Sequence, residues 1–136
     1  MSLILSNPVL LITLKMLKKR LGVEAIETVD FLRRYYKIPS TLTIPEGCKK
    51  VGCFAFWRCE RLEKVSIPGS VVVIDINAFS HCKSIEKIVI PESVKKIGEQ
   101  AFYGCKKLKK VVIPENVEIG VYAFAGCKYV EEEIRS

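Results

Sequence analysis

Residues 108–127 read LKKVVIPENVEIGVYAFAGC, and the same pattern occurs three more times upstream. Each copy has Ile-Pro, then two aliphatic residues (or Cys and an aliphatic residue), then Ala-Phe and finally Cys. A fixed period of this length, here 23 residues between successive Ile-Pro pairs, indicates a solenoid in which each copy forms one rung. The repeated positions are Ile44-Pro45, Ile67-Pro68, Ile90-Pro91 and Ile113-Pro114; Ala55-Phe56, Ala78-Phe79, Ala101-Phe102 and Ala123-Phe124; and Cys59, Cys82, Cys105 and Cys127.

Each rung has two halves. The first, as in Leu62 to Pro68, alternates apolar and polar residues and predicts a short strand that ends at Pro, because Pro cannot donate to a strand ladder. The second half leads to Ala-Phe, where Phe is the large core residue and Ala lets the neighbouring rung approach. The fourth rung is one residue shorter, between Val117 and Ile119.

The cysteines are predicted to be reduced core residues, because four of the six occupy one repeat position and a free Cys packs as a small hydrophobe. Equivalent positions on adjacent rungs are also close enough for a disulfide to be sterically conceivable. Cys48 falls in a column of valines and is predicted to be core. Cys53 falls in a mixed column and is the thiol that we expect to be exposed.

The motifs Leu-x-x-Val/Ile-x-Ile-Pro, Val-x-x-Ile and Ala-Phe-x-x-Cys resemble those of the BspA-like leucine-rich repeats, from Leu42 to about Val130. The resemblance implies a curved solenoid with one sheet of parallel strands, in a family found often in large surface proteins of bacteria and protists and thought to bind proteins. The expected fold is an α/β leucine-rich-repeat solenoid with a short parallel β-sheet face and an N-terminal capping helix.

Residues 1–37 are predicted to form an N-terminal helical cap. Asn7-Pro8 is a helix start, and apolar residues at three-and-four spacing run from Val9 to Leu21 before Gly22. Residues 23–38 fit two interpretations equally well. They can form a second helix, or they can form a degenerate half-repeat in which Ile26 and Phe31 match Ile97 and Phe102. Residues 38–136 are predicted to form four full repeats and a truncated fifth strand.

The formal net charge of +7 divides into +4 for residues 1–37 and +3 for residues 38–136. A mild basic excess favours acidic partners, although charge of this size also serves solubility. No apolar run reaches the ~20 residues that span a bilayer. The basic residues from Lys15 to Arg20 follow the N-terminal apolar run, whereas an export signal has its basic residues before the apolar run. Together with the reduced thiols, this predicts a cytoplasmic protein; the alternative is a fragment or relative of a cell-surface repeat protein.

Nothing in the sequence predicts catalysis. The only histidine, His81, falls in a turn, and no phosphate loop, Gly-x-Ser-x-Gly or His-Glu-x-x-His motif is present. The spacing of Cys48, Cys53 and Cys59 does not match a zinc knuckle. We therefore expect no enzyme activity, no cofactor and no metal.

The outward strand positions form the predicted partner-binding face. A lysine column lies beside a second column that is expected to include two exposed valines, and the six residues are Lys64, Ser66, Lys87, Val89, Lys110 and Val112. The predicted function is a non-enzymatic protein-binding module, and charge complementarity favours a protein partner with acidic groups. The alternatives are an anionic polymer, with nucleic acid less favoured, or self-association through the open C-terminal edge.

Overall fold

The computed structural model describes residues 25–26, 40–128 and 131–135. It contains ten short strands, and every strand pair is parallel. The strands are β1 (Ala25–Ile26), β2 (Thr41–Thr43), β3 (Lys50–Val51), β4 (Lys64–Ser66), β5 (Val73–Ile74), β6 (Lys87–Val89), β7 (Lys96–Ile97), β8 (Lys110–Pro114), β9 (Glu118–Ile119) and β10 (Glu131–Arg135).

The strands stack as a solenoid, in which rung 1 contains β2 and β3, rung 2 β4 and β5, rung 3 β6 and β7, and rung 4 β8 and β9. The second strands of the rungs form a continuous ladder of order β1-β3-β5-β7-β9. The first strands form two separate sheets, β2-β4 and β10-β8-β6. The solenoid is therefore confirmed, whereas the expected single sheet is corrected to a continuous ladder and an interrupted one.

The second ladder forms because the Val-x-x-Ile half of each rung is as extended as the first half. Parallel register places Val51, Ile74 and Ile97 in one buried column. Bonds just beyond these strands continue the ladder, with the Asp75 amide donating to the Val51 carbonyl (2.8 Å) and the Gly98 amide to the Ile74 carbonyl (2.7 Å). Buried backbone groups are thus paired from rung to rung, as burial requires.

The core is a column of aromatic rings. Phe56, Phe79 and Phe102 are buried, and Phe124 is half-buried. Successive ring centroids lie 5.2, 5.2 and 5.3 Å apart with nearly parallel planes. The stack follows directly from repeating one Phe per rung at the strand spacing of ~4.8 Å.

A column of thiols runs beside the rings, as the repeat predicts. Cys82 Sγ donates to the Phe56 carbonyl and Cys105 Sγ to the Phe79 carbonyl, both at 3.1 Å. Burial raises the pKa of the Cys105 thiol to about 12, so the group stays neutral. All six cysteines lie in the described residues and none forms a disulfide; Cys48 is buried and Cys53 is exposed, which confirms the packing interpretation.

The N-terminal predictions fall largely outside the described residues. The capping helix predicted over Val9 to Leu21 lies there entirely, and no described residue is helical. Strand β1 pairs with β3 so that Ile26 lies beside Val51, in the column that the half-repeat interpretation assigns to it. At the other end, β10 pairs with β8. The domain boundaries stay a prediction.

Candidate partner-binding face

The predicted face consists of the outward residues of β4, β6 and β8, and we call it the strand face. Lys64, Ser66 and Lys87 are exposed, while Val89 and Lys110 are half-buried. Val112 is buried, at 5% exposure. The expectation of two exposed valines is thus wrong, because β8 lies between two strands, and Val112 pairs with both Val89 and Glu133.

The strand ladder of this face is broken between β4 and β6, at a boundary that we call the seam. Across the other boundaries the Ile44 amide donates to the Ser66 carbonyl (3.0 Å) and the Ile90 amide to the Val112 carbonyl (2.8 Å). Among the described residues, no corresponding bond joins Ile67 to Val89. The seam is confined to the strands, because the turn side stays connected through Ser84 Oγ, which donates to the Glu60 carbonyl (2.6 Å).

The seam exposes part of the core. Val65 and Ile67 are only half-buried, whereas their counterparts on neighbouring rungs are almost fully buried. The counterparts are Leu42, Ile88 and Val111 for Val65, and Ile44, Ile90 and Ile113 for Ile67. Strand β4 therefore packs less closely than its neighbours, and an apolar floor lies open between charged walls.

A cleft of about 560 Å³ occupies the seam. Three of the six predicted site residues line it, namely Lys64, Lys87 and Val89, together with Val65 and Ser84. The alternation of apolar and polar residues does not predict this cleft. The remaining charged groups at the cleft are Glu63, Glu86 and Lys107.

The charges at the seam explain why it opens. The 23-residue offset sets Lys64 against Lys87 and Glu63 against Glu86, so two adjacent columns both carry like charges across this boundary. Like charges directly opposite each other destabilise a strand pair. At the next boundary only one such pair remains, Lys87 against Lys110, and the ladder is intact.

Among the described residues, Lys64 and Lys87 of the seam form no ion pair. The ion pairs there join Lys50 Nζ to Asp75 Oδ2 (2.9 Å) and Lys83 Nζ to Glu60 Oε1 (3.4 Å). Lys64 and Lys87 belong to neither pair. Their ammonium groups are thus available to carboxylates from outside.

Aromatic residues lie in the turns that follow β3 and β7. Trp57 packs edge-on against Phe54 (6.1 Å between ring centroids), and the Arg58 guanidinium lies 4.6 Å from the Trp57 ring centre. Tyr103 packs edge-on against His81 at 5.5 Å. Desolvation, with smaller effects from Arg58 and nearby lysines, lowers the pKa of His81. These contacts favour local packing for Trp57 and Tyr103.

No described helix is long and apolar enough to cross a membrane.

Solved structures with the same fold come from bacterial leucine-rich-repeat proteins. The chain is 27% identical to a leucine rich cell surface protein of Faecalibacterium prausnitzii (TM-score 0.72), over 85% of this chain and 30% of that one. It is 37% identical to a leucine-rich repeat protein of Bacteroides ovatus (TM-score 0.64), over 73% and 25%. It is 34% identical to the leucine-rich repeat protein of T. pallidum (TM-score 0.65), over 67% and 44%.

The chain thus spans less than half the length of each of these proteins. Since the first of them is described as a cell surface protein, the expectation of a cytoplasmic location gains no support. No curated protein matches the chain.

The sequence itself matches a family described as a BspA type leucine-rich repeat region with six copies, over residues 29–135. Leucine-rich-repeat proteins of this kind typically bind other molecules or serve as structural elements, and they are generally non-enzymatic. Most of the chain is covered by that match, and the repeat positions, the ring stack and the thiol column agree with it. The chain belongs to the BspA-type leucine-rich-repeat family.

Proposed function

We propose that this chain is a non-enzymatic protein-binding module and that the partner docks on the strand face. The observation that carries the proposal is the cleft at the seam, where an apolar floor lies between two lysines, Lys64 and Lys87, that form no ion pair within the described part of the chain. Apolar surface next to charged groups of fixed position is the arrangement from which a protein interface gains both affinity and orientation. The cell-surface relative supports an extracellular setting for this binding.

The test is affinity capture with the purified chain and a triple variant, Lys64→Glu/Lys87→Glu/Lys110→Glu. We expect the specific partners to be lost from the variant, since its face carries the opposite charge. The matched control, Lys49→Glu/Lys95→Glu/Lys128→Glu, changes the same number of exposed lysines off the strand face. Circular dichroism establishes that both variants are folded. Capture of the same partners by both variants would remove the strand face from consideration.

Binding of an anionic polymer is the alternative use of the same lysines. The two glutamates of the cleft disfavour it, because a polyanion would have to pass both. Salt separates the two functions, since a polyanion that contacts Z phosphates loses affinity with a logarithmic slope of about −0.7Z to −0.9Z. For the captured complex, we expect the logarithm of the affinity to fall with the logarithm of the salt concentration with a slope of about two or less in magnitude, as for a few ion pairs.

Self-association through the C-terminal edge stays a prediction. In the described part of the chain, β9 is the last strand of its ladder, whereas β8 is covered by β10. Light scattering over a concentration series tests it, and a strict monomer would rule it out.

A further inference from the structure

We propose that the seam is a binding site for an extended acidic peptide segment, whose carboxylates lie between the ammonium groups of Lys64 and Lys87. The segment belongs to the protein partner, so this inference names the chemistry of that partner and rests on the proposed function. The inference is carried by three features of the seam: its open ladder, its like charges and its half-buried apolar floor.

The first step concerns charge. A carboxylate placed between Lys64 and Lys87 replaces one cross-strand repulsion with two attractions, and it does so where neither lysine has an ion pair among the described residues. Lys107 lines the same cleft and offers a third cation. A single anionic group thus meets several ammonium groups whose positions are fixed by the rungs, which favours the bound state without new ordering of the backbone.

The second step concerns the floor of the cleft. Val65 and Val89 are the apolar residues that line the cleft, and Val65 keeps part of its surface open to water although the repeat places it in a core column. An aliphatic residue next to the carboxylates would cover that surface, at a gain of roughly 25 cal/mol for each Å² removed from water. A free inorganic anion or a bare sugar phosphate has no such group, so the floor favours a peptide.

The third step concerns the glutamates. Glu63 and Glu86 stand in the same cleft, next to the lysine pair. They would repel a long, uniformly charged polymer that tracks along the strand face, but they leave room for a short segment whose carboxylates are confined to the lysine column. The arrangement therefore selects spaced carboxylates over a continuous anionic chain.

The probe is a blocked heptapeptide of alternating Glu and Val, which is extended by composition. Its binding is measured by NMR titration at low salt, with the Lys-Val counterpart and a ten-nucleotide oligothymidine as comparisons. We expect the acidic peptide to bind and to shift resonances of the residues that line the seam. The variant Lys64→Gln/Lys87→Gln should bind about tenfold more weakly, because two ion pairs are lost.

The matched control is Lys49→Gln/Lys95→Gln, which removes two exposed lysines from one column of the other ladder and should bind like the parent chain. Equal affinity of the parent and the Lys64→Gln/Lys87→Gln variant would overturn the inference, as would tighter binding of the oligothymidine. Failure of the peptide to bind, with partners still lost from the triple Lys→Glu variant, overturns the acidic-peptide site alone. Unchanged capture by that variant overturns the proposed function instead.

Discussion

Two positions in the turn of every rung adopt a left-handed backbone, and the residue types found there differ widely. The residue before Ala-Phe has a φ between 53° and 58°, and the second residue after it has a φ between 56° and 76°. Only the second column contains glycines. Left-handed φ is costly for most side chains, so the turn is imposed by the Ala-Phe core and the rung-to-rung bonds. The two columns are Phe54, Asn77, Gln100 and Tyr122, and Arg58, His81, Gly104 and Gly126.

Gly98 is a residue where the approach of two rungs leaves no space for a side chain. A Cβ there would lie 2.7 Å from the Asp75 carbonyl carbon and 2.7 Å from the Ile76 nitrogen, both backbone atoms. We expect Gly98→Ala to lower the free energy of unfolding by about 1–3 kcal/mol, as overpacking does. Urea denaturation followed by circular dichroism measures this change.

The control for that change is Gly69→Ala, because a Cβ at Gly69 would meet no atom within 4 Å. Its free energy of unfolding should stay within about 0.5 kcal/mol of the parent value, as for surface substitutions. Equal destabilisation by the two substitutions would contradict the account of close rung packing at Gly98.

The sequence predicts a residue well where its environment repeats. The burial of Phe79 and Cys82 could be predicted, because each has an identical neighbour on the rungs above and below. The burial of Val112 could not be predicted from alternation, since it depends on the strands on both sides of β8. Alternation assigns a face to a residue, but the number of neighbouring strands decides whether that face is covered.

At the scale of the strand, the seam shows how cross-strand charge competes with backbone pairing. Each first strand is only three to five residues long, so few ladder bonds oppose a repulsive pair of side chains. A like-charge pair is worth roughly 0.2–1 kcal/mol. Two such pairs at one boundary are therefore comparable with the net contribution of a backbone hydrogen bond, about 0.5–1.5 kcal/mol.

We expect Lys87→Glu to raise the free energy of unfolding, by about 0.2–1 kcal/mol for each opposite-charge pair that it creates with Lys64 and Lys110. Lys96→Glu is the matched opposite case, because Lys96 pairs with Glu118 in the intact ladder. Its stability should fall by a similar amount. Denaturant unfolding at low and high salt measures both, and both effects should shrink as salt is added.

A gain in stability for Lys96→Glu, or a loss for Lys87→Glu, would contradict the charge-based explanation of the seam. The sequence carries this signal, in that Glu63, Lys64, Glu86 and Lys87 are visible at the repeat offset. The sequence does not show whether the repulsion between like charges outweighs the hydrogen bonds of the ladder. The open ladder, and hence the cleft, could therefore be identified only from the structure.

At the scale of the whole molecule, stability comes from stacking of rungs, and each rung contacts only its neighbours. The stacked phenylalanine rings provide this contact between successive rungs. Phe79 lies 5.2 Å from both Phe56 and Phe102 and is fully buried, whereas Phe124 stacks on Phe102 alone among the described residues.

We expect Phe79→Ala to lower the free energy of unfolding by about 3–5 kcal/mol, as for large core truncations, and to do so without separate transitions for the two flanking rungs. Phe124→Ala should cost roughly half as much, since one stacking neighbour and part of the burial are lost. Guanidinium titration followed by fluorescence and circular dichroism checks both. Equal losses would show that the column does not transmit stability between rungs.

The repeat period predicts the solenoid because it is a global property of the sequence, visible in every rung. The division of the first strands into two sheets is a local property of one boundary, and the period says nothing about it. Whether residues 1–37 form a separate cap is again local, and it depends on residues outside the described ranges. The family assignment therefore rests on the repeat, while the candidate site rests on the boundary where the ladder of first strands is broken.

Cys53 is exposed, whereas the other five cysteines are buried or half-buried in the core. It lies near Asp75 and Lys50 on the second ladder, and it does not line the cleft. Mild alkylation of the native chain would therefore attach a fluorophore at a single known position without any substitution. The label would report on ligand titrations from a side of the solenoid that leaves the cleft clear.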